Sequence, residues 1–370
     1  MGYDIIVSGQ LCADLLPDTA HLPLSALSSP GKIFEVGKLE MATGGGVANT
    51  GLALNRLGVT VGLMATVGDD MLGRVIIDFL KDEGAHLADL VKVRPNEDSS
   101  YSVILSPTNT DRIILHCPGT NEQFTDADID FELVSQAKIF HLGYPPLLPR
   151  LFANEGDMLV AIYQRVYDMS VVTSLDMALS DLASAGGQVD WRPIIQHTLP
   201  YVDVFIPSLE EIAFMLRRAD YDRWQGRPIE HVTISYLRKL ANDLLAMGVA
   251  IAGIKLGEYG LFLRCSEELG RFDRLQRLGL NCREWCGFEG VHPTFDVKLV
   301  GSVGAGDSAY GAFLAGLLRG LPPEDVVRMA CAVGASNVEA HDATSGIRSW
   351  DDTLARINAG WETSPKQLPE

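Results

Sequence analysis

The segment FDVKLVGSVGAGDSAYGAFLAGLL, residues 295–318, holds the densest group of residues able to do chemistry. The apolar run Val297 to Val300 reads as a strand entering the turn Gly301-Ser302-Val303-Gly304-Ala305-Gly306-Asp307, and a helix of small and apolar residues follows. Such a turn is an anion site: the first helical N–H groups lack partners, and the helix dipole adds roughly half a positive charge there. Three readings compete. A phosphate-binding loop of the Walker kind fits from Gly301 to Gly306 and Ser308, but Asp307 stands where a lysine is required. A dinucleotide fingerprint fits Gly304, Gly306 and Ala309, yet that motif normally opens a fold, and it leaves Asp307 without a task. The third reading makes Asp307 a general base that takes a proton from a hydroxyl while the turn's amides hold a transferring phosphoryl group. An aspartate that only caps the helix remains open on the turn alone.

The elements that must position this turn alternate along the chain. Strand candidates occur at DIIVSG, VTVGLMATVG, AKIFHLG, SVVTSLD, VDVFIPS, AIAGIKLG and LFLRC. Between them lie helical stretches such as GGGVANTGLALNRLG, MLGRVIIDFLKDEG, LEEIAFMLRR and SYLRKLANDLLAMG. This alternation predicts an α/β fold with a mostly parallel central sheet flanked by helices. Two β-rich segments, approximately 11–43 and 99–117, break the rhythm and are expected to form a small β-sheet lid; edge strands are the alternative. The second contains two runs around Pro107-Thr108-Asn109-Thr110-Asp111, a hairpin signal. Residues 264–295 read as an irregular insertion. The whole of 1–370 is expected to be one domain.

Composition narrows the partners. Asp plus Glu number 48 and Lys plus Arg 30, so the formal charge of −18 argues against nucleic acid. No stretch suits a bilayer and no leader is visible, so the expectation is a cytoplasmic protein without a membrane partner. The six scattered cysteines are expected to be free thiols. Cys265, Cys282, Cys286 and His292 have spacing too loose for a zinc site. His116 and His141, in apolar runs, are expected to pack rather than catalyse.

GAGDSAYGAFLAGLL resembles the C-terminal signature of the ribokinase, or PfkB, family of carbohydrate kinases, and GGGVANTGLALNRLG resembles its N-terminal signature. The two stand in the family's order, about 260 residues apart. GQLCAD, HLGYPP, the Ser208–Glu211 stretch and IKLGEYG add to a resemblance over nearly the whole chain. It implies a ribokinase-like fold, ATP and Mg²⁺, and transfer of phosphate to a hydroxyl of a sugar or sugar-like molecule. It implies Asp307 as the base, with Gly304, Ala305 and Gly306 forming the anion hole. It also implies Asp14, Gly44, Gly45 and Asn49 on the substrate side, and Glu211 near the metal and phosphate. Lys255, Leu256 and Gly257 then line the nucleotide, and Asn337 lies near its adenine. A homodimer through the lid is a further expectation.

This chain departs from the family pattern in four places. Gly301-Ser302 replaces Asp-Thr, which puts a monovalent-cation site in doubt. Ser208 replaces the Asn of Asn-x-x-Glu, Cys12 stands where Asn is frequent, and Gly46 replaces a lysine of ribokinase itself, which argues against ribose. The rival functions are a nucleoside kinase of the same fold and a non-catalytic sugar or nucleotide sensor. The retained Asp307 opposes the sensor.

Overall fold

The computed structural model describes residues 2–27, 30–108 and 113–369. Among these, eight strands form the main sheet. In spatial order they are Glu289–His292, Leu261–Cys265, Ile251–Lys255, Val204–Phe205, Val172–Asp176, Ile139–Gly143, Ile5–Gly9 and Val61–Met64. The pairings from Ile251–Lys255 to Val61–Met64 are all parallel, and the two at the other edge are antiparallel. Alternate residues feed opposite faces: Ile5 and Val7 enter one core with the helices Gly45–Arg56, Ala305–Leu318 and Pro323–Asn337. Ile6 enters the other, with the helices Asp157–Asp168, Trp191–Thr198, Leu209–Leu216 and Ile234–Ala246. Apolar side chains on both faces explain why these strands read as unbroken hydrophobic runs.

A separate four-stranded sheet runs in the order Leu39–Gly44, Cys12–Pro17, Tyr101–Leu105, Ile113–Cys117. Its last two strands are the antiparallel hairpin that the sequence suggests. Asn109, Thr110 and Asp111 of the signalling turn lie outside the described residues.

Three local expectations are corrected. VTVGLMATVG is two strands, because the chain leaves the main sheet after Met64 and Thr66–Gly68 pairs with Lys92–Arg94. Residues 264–295 are not wholly irregular, since Glu289–His292 forms the edge of the main sheet. Residues 297–300 form no strand, because no strand lies beside them: the Val300 amide bonds the Val338 carbonyl, and Leu299 is 68% exposed.

Candidate active site

Four adjacent strands deliver polar residues to the carboxyl edge of the sheet, the usual place for ligands in open α/β folds. Tyr144 follows Ile139–Gly143, Asp176 ends Val172–Asp176, Ser208 follows Val204–Phe205, and Lys255 ends Ile251–Lys255. The helix Ala305–Leu318 points its N-terminus at the same place. Gly304 caps it with φ 71°, in the left-handed region, and a Cβ there would lie 2.6 Å from the carbonyl oxygen of Ala343. The turn is backed on that side by residues 340–343. A Cβ on Gly301 would lie 2.7 Å from the carbonyl oxygen of Ala340, so this packing has no room for an aspartate there. Asn337 Nδ2 holds the turn from below by donating to the carbonyl of Val303 at 2.8 Å.

Asp307, in the helix's first turn, is buried. Asn49 Nδ2 donates to its Oδ2 at 2.9 Å, and the Tyr144 hydroxyl donates to its Oδ1 at 2.6 Å. Burial and the charge of Asp176 push the Asp307 pKa up to about 6, against the pull of Lys255, Tyr144 and Asn49. The group therefore ionises just below neutrality, where a general base is useful. Lys255 Nζ pairs with Asp176 at 2.8 and 3.1 Å. Burial works against the ammonium, yet Asp176, Glu211 and Asp307 hold its pKa above the ordinary value. Glu211 closes a capping box with Ser208: its Oε2 accepts from the Ser208 amide at 2.7 Å. Burial raises the Glu211 pKa to about 7. One lysine thus faces three carboxylates, Asp176 and Asp307 buried and Glu211 half-buried, an arrangement that favours a bound cation.

A cavity of about 740 Å³ opens in front of this group. Gly304, Ala305, Gly306 and Asp307 line it at one end; Gly334, Ala335 and Val338 give it an apolar wall. Lys255 and Gly257 also line it. Leu256 is buried, and Asn337 is buried and absent from the lining, its Nδ2 engaged with Val303. The family resemblance implies Lys255 beside the nucleotide; the structure sets its ammonium on Asp176. Among the described residues no three His, Cys, Asp or Glu side chains are grouped to hold a metal. Mg²⁺ is usually held by one or two carboxylates together with substrate phosphates. Glu211 lines the cavity and fits as such a carboxylate in its ionised form, which a bound cation would favour.

Asp14, Gly44, Gly45 and Asn49 are not part of that cavity's lining, and Asn49 links their group to Asp307. Asp14 is buried, with Cys12 Sγ 3.5 Å from its Oδ1. A Cβ on Gly44 would come within 2.3 Å of the Asp14 carboxylate, and one on Gly45 within 2.0 Å of Gln10 Oε1. The glycines thus let two acceptors lie against the backbone. Among the described residues, Gln10 Oε1 and Asn49 Oδ1 are buried acceptors that no hydrogen bond satisfies. His141 is fully packed, with burial holding its pKa down to about 3. His116, expected to pack, is instead exposed on its strand, with Nδ1 3.1 Å from Ser102 Oγ.

A family model described as pfkB family carbohydrate kinase matches residues 4–350. The chain belongs to this family. It is 24% identical over 349 residues to a 5-dehydro-2-deoxygluconokinase of Clostridium perfringens, covering 93% of this chain and 90% of that one. It is 24% identical over 325 residues to fructokinase-2 of Oryza sativa subsp. japonica, covering 85% and 80%. Among solved structures, the ribokinase of Arabidopsis thaliana, complexed with ribose and ATP, aligns with a TM-score of 0.72 at 19% identity, covering 96% of this chain and 98% of the other.

Sequence reasoning missed Tyr144, Asp176 and Gln10. Asp176 carried a usable signal, an acid at the carboxyl end of the buried run SVVTSLD. Tyr144 carried none, because its φ of 64° and ψ of 49° follow from where the chain must turn after Gly143. Non-glycine residues in this region cluster at functional sites.

Proposed function

We propose that this pfkB-family carbohydrate kinase moves the γ-phosphate of ATP onto a hydroxyl of a sugar or sugar-like acid held between Asp14, Gln10 and Asn49. One observation carries the reading: a buried carboxylate, Asp307, stands at an open helix N-terminus between a polar cradle and a large cavity. Asp307 takes the proton of the acceptor hydroxyl as that oxygen bonds to the γ-phosphorus and the bond to ADP breaks. The amides of Ala305 and Gly306 and the ammonium of Lys255 stabilise the charge on the transferring group. Mg²⁺ supplies charge neutralisation for the phosphates, with Glu211 as the protein's carboxylate toward it. The small sheet, carrying Asp14 on one strand, covers the sugar.

The test is ADP release with Mg²⁺ and ATP over a panel of ketohexoses, keto sugar acids of the kind named in the Clostridium relative, and ribonucleosides. Turnover with a sugar or sugar acid supports the reading. Turnover confined to ribonucleosides replaces it with the nucleoside kinase, and no turnover beside intact nucleotide binding replaces it with the sensor.

A further inference from the structure

The match to the family ends at residue 350, but the chain continues past the cavity. Beyond the helix Trp350–Asn358 it runs antiparallel to residues 294–296. The Asp296 amide donates to the Glu362 carbonyl at 2.9 Å, and the Ser364 amide to the Thr294 carbonyl at 2.8 Å. Trp361 fixes the near end: its ring lies 4.5 Å from that of Phe295, its Nε1 donates to the Asp296 carbonyl at 2.8 Å, and Arg356 covers its other face. The far end is tied where the Ile234 amide donates to the Pro369 carbonyl at 2.9 Å. Residues 361–369 are therefore a strap anchored at both ends, and between the anchors Ser364 and Lys366 form part of the cavity wall.

The charges around that wall give Lys366 a task. Among the described residues, the acids lining the cavity are Glu210, Glu211, Glu258, Asp296 and Asp307, against the lysines Lys255 and Lys366. Lys255 cannot leave its pair with buried Asp176 without stranding a buried charge, so it serves the site only from where it stands. Lys366 instead pairs with Glu258 at 2.5 Å, in an ion pair whose side chains are 47% and 60% exposed. Pairs so exposed are worth little, so exchanging one is cheap. A polyphosphate entering an acidic cavity needs a cation, and a lysine serves as a mobile point charge for it.

We propose that Lys366, carried on this strap, binds the phosphates of the nucleotide, releasing Glu258 to do so. The inference rests on the proposal that the cavity receives ATP, and it adds a residue outside the part of the chain that matches the family. Glu258 is then a competitor for the lysine rather than its support. Two substitutions that break the same ion pair must accordingly act in opposite directions.

Titration calorimetry with Mg²⁺ and a non-hydrolysable ATP analogue tests this at low salt. Lys366→Ala is expected to weaken binding about tenfold, Lys366→Arg to stay within about threefold of the parent, and Glu258→Gln to tighten binding about twofold. The Lys366→Ala loss should shrink as salt rises. Equal affinity in Lys366→Ala and the parent overturns the proposal, and so does weakening by both Lys366→Ala and Glu258→Gln, which would mark the pair as structural. If the parent itself binds no nucleotide, the ATP reading falls and takes this inference with it.

Discussion

Two glycine turns meet at Asp307, and they do different work with the same residue type. The first, Gly44–Gly46, is filled from within: its missing Cβ atoms make room for the Asp14 carboxylate and the Gln10 amide. The second, Gly301–Gly306, is backed by the carbonyls of Ala340 and Ala343 and open toward the cavity. Their helices pack closely, with Gly311 against Ala53 and Thr50, and Asn49 of the first donates to Asp307 of the second. One turn offers acceptors, which suit hydroxyls; the other leads into the N-terminus of a long helix, which suits phosphate. Composition makes the two turns look alike, and only what lies against each glycine separates them.

Removing the group where the turns meet should have the largest effect. Asp307→Asn is expected to slow phosphoryl transfer by about 10² to 10⁴ while leaving nucleotide binding intact. Stability should move the other way. The folded-state pKa of Asp307 is raised to about 6, so the cost of ionising it is absent below its ordinary range and fully present above pH 6. The melting temperature of Asp307→Asn should therefore exceed the parent's at pH 8, with the gain fading toward pH 4. Near-parental turnover would reduce Asp307 to an acid that merely favours the helix's first turn.

Tyr144→Phe should act more gently. It removes a hydrogen bond that favours the ionised carboxylate, leaving Asp176 to oppose ionisation and Lys255 and Asn49 to support it. The acid limb of kcat/KM should move toward neutral pH, with a loss of about tenfold at pH 6. An unmoved limb would show that the tyrosine only packs.

The smallest expected effect concerns monovalent cations. Gly301 offers no carboxylate, and its surroundings leave no room for one. Turnover in potassium and in tetramethylammonium should agree within about threefold. A tenfold rise with potassium, about 1.4 kcal/mol, would mean that carbonyls alone build the cation site.

Much of this arrangement was legible in the sequence, for a physical reason. Strands buried on both faces and helices with capping residues leave local patterns, so the main sheet and the helices beginning near Gly45, Ser208 and Gly304 could be read directly. Asp307 and Glu211 sit in first turns, where such patterns are strongest. The strand expected at Val297–Val300 failed because an apolar run is a strand only with a strand beside it, and here Phe295 pairs with Thr363 and the Val300 amide bonds the Val338 carbonyl. Asn337 shows the limit for single residues: a buried helical asparagine can face a ligand or a carbonyl, and here its Nδ2 bonds Val303. Lys366 was invisible because its neighbours in space, Glu258 and Tyr259, are remote in the chain.

The account's central claim is that the two turns serve opposite ends of one phosphoryl path, and crossed ligand titrations test it most directly. Sugar and nucleotide would each be titrated into Asp14→Ala and Gly306→Ala. A Cβ on Gly306 meets atoms of the Lys255 side chain no closer than 3.5 Å, so the fold accommodates the substitution while a methyl enters the anion-facing surface. Asp14→Ala is predicted to lose sugar affinity by about tenfold or more with nucleotide affinity unchanged, and Gly306→Ala to show the reverse. Loss of the same ligand in both variants would contradict the claim.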